Sequence, residues 1–263
     1  MNTSEPNPQQ APANGTLTKQ PAWLTIYPWA VFVLPFAVFM LAGTLEPTPE
    51  RPFEHFGLSI PYSAYPLVYA IKIALTMAAM FAVWPGYRQF AWRVSPLAFL
   101  IGGVGVVLWI GLCKLGLESK LLAPLGLEWV VDSGVRSAFN PLENWPDQPL
   151  LAYGFLAVRF CGLAIVVPII EEFFLRGLVM RFVIDADWWK VPFGTLTPLA
   201  VVVGTLVPVA MHPAEMLAAA VWFTSVTWLM FKTKNIWDCV VAHGVTNLLL
   251  GIWVVASGDW YFL

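Results

Sequence analysis

Two adjacent carboxylates, with an arginine one turn beyond them, have the plainest capacity for chemistry in this 263-residue chain. They lie in Pro168-Ile-Ile-Glu-Glu-Phe-Phe-Leu-Arg-Gly177, with apolar sequence on both sides. A charge at the centre of a membrane helix costs about 2.5–3.5 kcal/mol, so charges kept in such a run are functional candidates. Neighbours on a helix diverge by about 100°, which points Glu171 and Glu172 in different directions. Arg176 follows Glu172 by four residues, the favourable order for an ion pair. That pairing leaves Glu171 without its own cation, and a buried carboxyl of this kind suits a general base near neutral pH. Glu172 and Arg176 would then hold the helix that carries it. The competing possibility is a helix end at the headgroups, where both glutamates are hydrated.

Two further polar positions could meet Glu171. His212 closes the apolar run Val-Pro-Val-Ala-Met-His-Pro213. His243 and Asn247 stand four residues apart, about 40° from each other on one helical face. His55, the remaining histidine, is expected in a polar loop and has no such company. Cys239 sits one turn before His243, but no second thiol is placed near it, and core packing is the better account of it. The odd count of three cysteines, all in apolar runs, makes no disulfide framework. Lys72 and Arg159 are lone cations on apolar stretches, suited to snorkelling or to pairing with a neighbouring carbonyl. Glu171, His212 and His243 form a possible zinc set, although no His-Glu-x-x-His helix supports it.

The elements that must position these groups are membrane helices. Apolar residues make up 59% of the chain and charged residues 11%, against about 25% charged in a soluble domain. A water-soluble globule is therefore excluded, and a net charge of -2 offers no basic surplus to hold nucleic acid. The expected fold is all-α, a polytopic bundle with apolar segments at 23–43, 66–84, 97–115, 150–182, 196–211, 214–231 and 236–256. That makes seven transmembrane segments, or eight if the long fourth is broken. Residues 1–22 read as a disordered polar tail, 23–263 as one transmembrane bundle with its catalytic core at 150–256, and 116–149 as a long loop. Lys19, Arg88, Arg93, Arg181, Lys190, Lys232 and Lys234 fall on one side, against Arg51, Lys114, Lys120 and Arg136 on the other. The bias puts the N-terminus inside a cytoplasmic membrane. Trp188 and Trp189 would suit an inner aromatic belt. His212 ends its segment on the far side from Lys190, so a shallow hairpin over 196–231 is expected to lift it towards Glu171.

At these positions the sequence resembles the CAAX protease and bacteriocin-processing family, also called the Abi family. These are intramembrane endopeptidases that include type II CAAX prenyl proteases, and a related bacterial subgroup looks most similar. Glu171, Glu172 and Arg176 match its Glu-Glu-x-x-x-Arg motif, with Gly177 following, and His243 and Asn247 match its His-x-x-x-Asn motif. His212 matches the histidine of Phe-x-x-x-His, while Pro208 replaces the phenylalanine. The resemblance implies that Glu171 activates water with help from His212, and that His243 and Asn247 donate to the oxyanion. It implies no cofactor, zinc being the alternative.

The expected function is cleavage of a membrane-associated or lipid-modified polypeptide near the inner face, with the bilayer and that polypeptide as partners. A non-catalytic scaffold or immunity protein is one alternative. A proton-coupled transporter is another, though the inverted halves it would call for are not visible.

Overall fold

The computed structural model describes residues 21–49, 53–55, 57–134 and 136–263. The expected tail falls outside these residues up to position 20. Among the described residues seven apolar helices carry the fold: α1 Ala30–Gly43, α2 Tyr65–Tyr87, α3 Pro96–Leu115, α4 Pro149–Phe182, α5 Pro198–Met211, α6 Met216–Thr233 and α7 Ile236–Ser257. Prolines open four of them, at Pro66, Pro96, Pro149 and Pro198, where a missing N–H is harmless and φ is already helical. Asn235 caps α7 by accepting from the Trp237 N–H at 3.2 Å. The N–H of Ser95, ahead of α3, donates instead to the Asp238 carboxylate of α7 at 2.7 Å.

Among the described residues five helices are long and apolar enough to cross a membrane, while α1 and α5 have 14 residues each. Fourteen residues rise about 21 Å, short of a hydrocarbon core of about 30 Å. The expected count of seven or eight transmembrane segments is thus not confirmed: five helices are long enough to span, and two more are short. The first segment is shortened by Pro28, which has no N–H and displaces Tyr27 from helical geometry (φ -121°, ψ 66°). A separate turn, Ala22–Ile26, precedes it. The fourth segment is not broken: α4 stays helical through Pro168, with π-helical turns at Gly162–Val166 and Phe173–Val179. The all-α expectation misses one short hairpin, β1 Phe53–His55 and β2 Leu58–Ile60, paired with Phe53 opposite Ile60. His55 belongs to that strand rather than to a loop.

Small residues bring the central helices together. A Cβ at Gly102 of α3 would stand 2.7 Å from the Ala242 carbonyl of α7, and one at Gly244 would stand 2.7 Å from the Ala164 carbonyl of α4. Backbones at this separation pack tightly without any hydrophobic drive from lipid. Outer faces expose Leu67, Ile71, Leu75, Leu100 and Val107, as a lipid-facing surface does. Trp188 corrects the belt expectation, because it is buried with its ring 5.0 Å from Phe32 and beneath Arg181.

The segment expected as a loop at 116–149 contains short helices, Leu117–Leu122, Glu128–Asp132 and Pro141–Asn144. It straps the turn between α5 and α6. Glu118 accepts from the Leu217 N–H at 2.9 Å, and Arg136 pairs with Glu215 at 2.8 Å. Arg136 also donates to the Phe262 carbonyl at 2.7 Å, and Tyr62 donates to the Ser137 carbonyl at 2.6 Å. The described residues of the loops at 44–64, 116–148, 212–215 and 258–263 consequently share one side of the bundle.

Candidate active site

Glu172 ties three helices together. One of its carboxylate oxygens pairs with Arg176 a turn later in α4, and the other accepts from His243 Nδ1 of α7 at 2.9 Å. Arg176 Nη2 donates to the Phe223 carbonyl of α6 at 3.0 Å. Glu172 and Arg176 are both fully buried. A buried pair is tolerable only when its remaining lone pairs and protons are also met, and here the partners come from α6 and α7.

That arrangement orients the second histidine. With Nδ1 bonded to Glu172, the Nε2 of His243 faces Glu171 Oε2 at 4.0 Å. Glu171 itself is half-buried. The Trp222 ring packs on His243 at 4.7 Å and is held by its own Nε1 donating to Thr246 at 3.0 Å.

The position of Asn247 has a backbone cause. Pro168 lacks an N–H, and in a π-helical turn each N–H reaches back five residues. The carbonyl left without a π partner is therefore that of Leu163, and Asn247 Nδ2 donates to it at 3.0 Å. One amide proton of Asn247 is used in this way and the second stays available.

His212 lies just beyond the end of α5. Its backbone N–H goes to Val209 at 3.1 Å, and the Pro208 carbonyl accepts from the ring at Nδ1, 2.8 Å away. A carbonyl only accepts, so Nδ1 carries a proton, and when the ring is neutral the lone pair lies on Nε2. Pro208, the departure from the motif, therefore still helps to hold the histidine through its carbonyl oxygen. The ring packs 5.5 Å from Trp109 and 5.7 Å from Phe223.

Glu171, His212, His243 and Asn247 all line one cavity of about 410 Å³. It runs from Glu171 towards the loops at 44–64, 116–148 and 258–263, reaching Glu46, Arg136 and Phe262. Among the described residues no group of three His, Cys, Asp or Glu side chains is arranged to hold a metal ion, the set Glu171, His212 and His243 included. Lys72 does not snorkel as expected but pairs with Glu46 at 2.6 Å, its charge lying over the Phe39 ring. Cys239 is fully buried, in keeping with a packing role.

Residues 153–249 match the family described as Rce1-like, type II CAAX prenyl endopeptidase Rce1-like. The chain carries an Rce1-like domain. This domain runs from α4 to α7 and contains all six motif residues, from Glu171 to Asn247. The match supports a CAAX-type intramembrane protease in general terms, in an integral, multi-pass membrane chain. No curated protein and no solved structure matches the chain.

Sequence spacing did not reveal that Glu172 of the Rce1-like domain serves His243 as well as Arg176, since 71 residues separate the two. Nor did it place Trp109, Trp222 and Phe223 around the histidines; an apolar run gives no sign of which aromatic faces inward.

Proposed function

We propose that the protein is a metal-independent intramembrane endopeptidase in which Glu171 is the general base. The observation that supports this most directly is the convergence of Glu171, His212, His243 and Asn247 on one cavity. Glu171 takes a proton from water, with the Nε2 lone pair of His212 helping to orient it, and the oxygen attacks the scissile carbonyl carbon. The carbonyl becomes an oxyanion, met by His243 Nε2–H and the free amide proton of Asn247. To donate from Nε2 while Nδ1 donates to Glu172, the His243 ring must be the imidazolium, and the carboxylates of Glu172 and Glu171 flank it as counter-charges. Collapse of the tetrahedral intermediate breaks the C–N bond, and the proton held by Glu171 passes to the leaving amine.

The substrate class is a membrane-associated or lipid-modified polypeptide, and the bilayer is the other partner; nucleic acid is not one. The N-terminus lies inside a cytoplasmic membrane, as the Lys and Arg bias indicates. That orientation goes with a cavity approached from outside, because the loops it runs towards lie opposite Arg88, Arg93, Lys190 and Lys232. A cut near the inner face goes with the opposite orientation.

The test is cleavage of a membrane-peptide library by detergent-purified protein. Wild type should cut, Glu171→Gln should lose 10²-fold or more (on the order of a general base's contribution), and a chelator should leave the rate unchanged. Chelator loss restored by zinc would reassign His212 and His243 as ligands. Cleavage surviving in Glu171→Gln would overturn the mechanism.

A further inference from the structure

The cavity contains a buried cation that the proposed mechanism does not use. Arg159 of α4 lines it and is 4% exposed, and its Nη1 has no hydrogen-bond partner. The other two cations lining the cavity are already answered: Lys72 by Glu46 at 2.6 Å, and Arg136 by Glu215 at 2.8 Å. Among the described residues no carboxylate lies within ion-pair distance of Arg159. Its guanidinium packs against two neighbouring aromatic rings instead, 5.4 Å from the centroids of both Tyr65 and Tyr69, which lie 6.0 Å from each other. Tyr69 is fixed in turn by donating to the Arg159 carbonyl at 3.4 Å. The rings pack against the guanidinium but offer no acceptor to Nη1.

An orphaned, buried guanidinium costs desolvation energy that an incoming anion would relieve. Its planar fork fits a carboxylate bidentately. Arg159 and Glu171 lie twelve positions apart on one continuous helix, about 18 Å of rise. That spans about five residues of extended peptide, so one short segment could touch both. We propose that Arg159 is a specificity residue: it binds a carboxylate of the substrate within about five residues of the bond facing Glu171. The carboxylate can be a chain end or an Asp or Glu side chain, which share this chemistry. The proposal rests on the endopeptidase reading for what the bound segment undergoes, but the binding itself does not require cleavage.

The experiment separates the two. Full-length Glu171→Gln in detergent is titrated with short fluorescent apolar peptides in three forms: free carboxylate end, amidated end, and amidated end with a glutamate nearby. One or both acidic forms should bind about tenfold tighter than the plain amide, the scale of one charge-assisted pair. Which acidic form gains identifies the source of the carboxylate. Adding Arg159→Gln should make the three forms equal, while Arg159→Lys should restore part of the preference. Equal binding of all forms to Glu171→Gln, no binding of any, or a preference that survives Arg159→Gln would overturn the proposal. So would a uniform loss in Arg159→Gln with a lowered thermal midpoint, the signature of a purely structural role. Arg159-dependent binding of peptides that wild type never cuts would instead overturn the endopeptidase reading and leave this subsite standing.

Discussion

At the scale of single residues, the site depends on one carboxylate having two partners. Glu172 is fully buried between Arg176 and His243, so removing either partner leaves buried charge unmet. Arg176→Leu should destabilise the protein by about 3–5 kcal/mol, the usual cost of breaking a buried pair from one side. A large fall in the thermal midpoint in detergent would register this; a midpoint close to wild type would show that the pair carries no such weight. Glu215, in the turn that also holds His212, has a different dependence. Burial is the largest influence and raises its carboxyl above the ordinary value, opposed by Arg136 and assisted by Glu118. A carboxyl raised in the fold stays protonated there while the unfolded chain has already ionised, so folding binds a proton and stability falls as pH rises through that interval. The thermal midpoint of wild type should therefore lose ground to Glu215→Gln between the unfolded and the raised folded value, then run parallel above it. A gap of constant size across the interval would contradict the assignment.

At the scale of elements, the close approach of α4 and α7 sets the geometry around Glu171. Gly244 permits it, since a Cβ there would stand 2.7 Å from the Ala164 carbonyl. The same approach lets Asn247, one turn later, reach the carbonyl of Leu163. Gly244→Val should force the helices apart at a cost of about 1–3 kcal/mol and take Asn247 off its acceptor. Thermal unfolding and peptide cleavage should both decline in this variant. Full activity in a variant with a lowered midpoint would mean that Asn247 does not need Leu163. The π-helical turns belong to the same account. Pro168 cannot donate, so α4 has a spare carbonyl, and α7 supplies the donor that it lacks.

At the scale of the whole molecule, the orientation of the bundle sets which side of the membrane the cavity faces. With the N-terminus inside, Tyr261→Cys should react with a membrane-impermeant maleimide on intact cells, and Trp92→Cys only after permeabilisation; both positions are exposed, at 54% and 68%. The opposite pattern would invert the orientation and place the cut at the inner face. Much of the bundle was legible in the chain itself. Long apolar runs can satisfy their backbone in lipid only as helices, so α2, α3, α4, α6 and α7 follow from hydropathy. The Glu172–Arg176 pair follows from helical spacing, because four residues make neighbours on any helix. Local signals failed where proline acts in two ways: Pro28 ended a helix that hydropathy would have continued, while Pro168 left α4 unbroken. Which groups meet across the bundle was decided only by the tertiary structure. The bond from Glu172 to His243, the shared cavity of His212 and Glu171, and the unanswered guanidinium of Arg159 all depend on helices far apart in sequence. Periodicity assigns a face to each helix separately, but the packing of small residues such as Gly102 and Gly244 determines which faces come into contact.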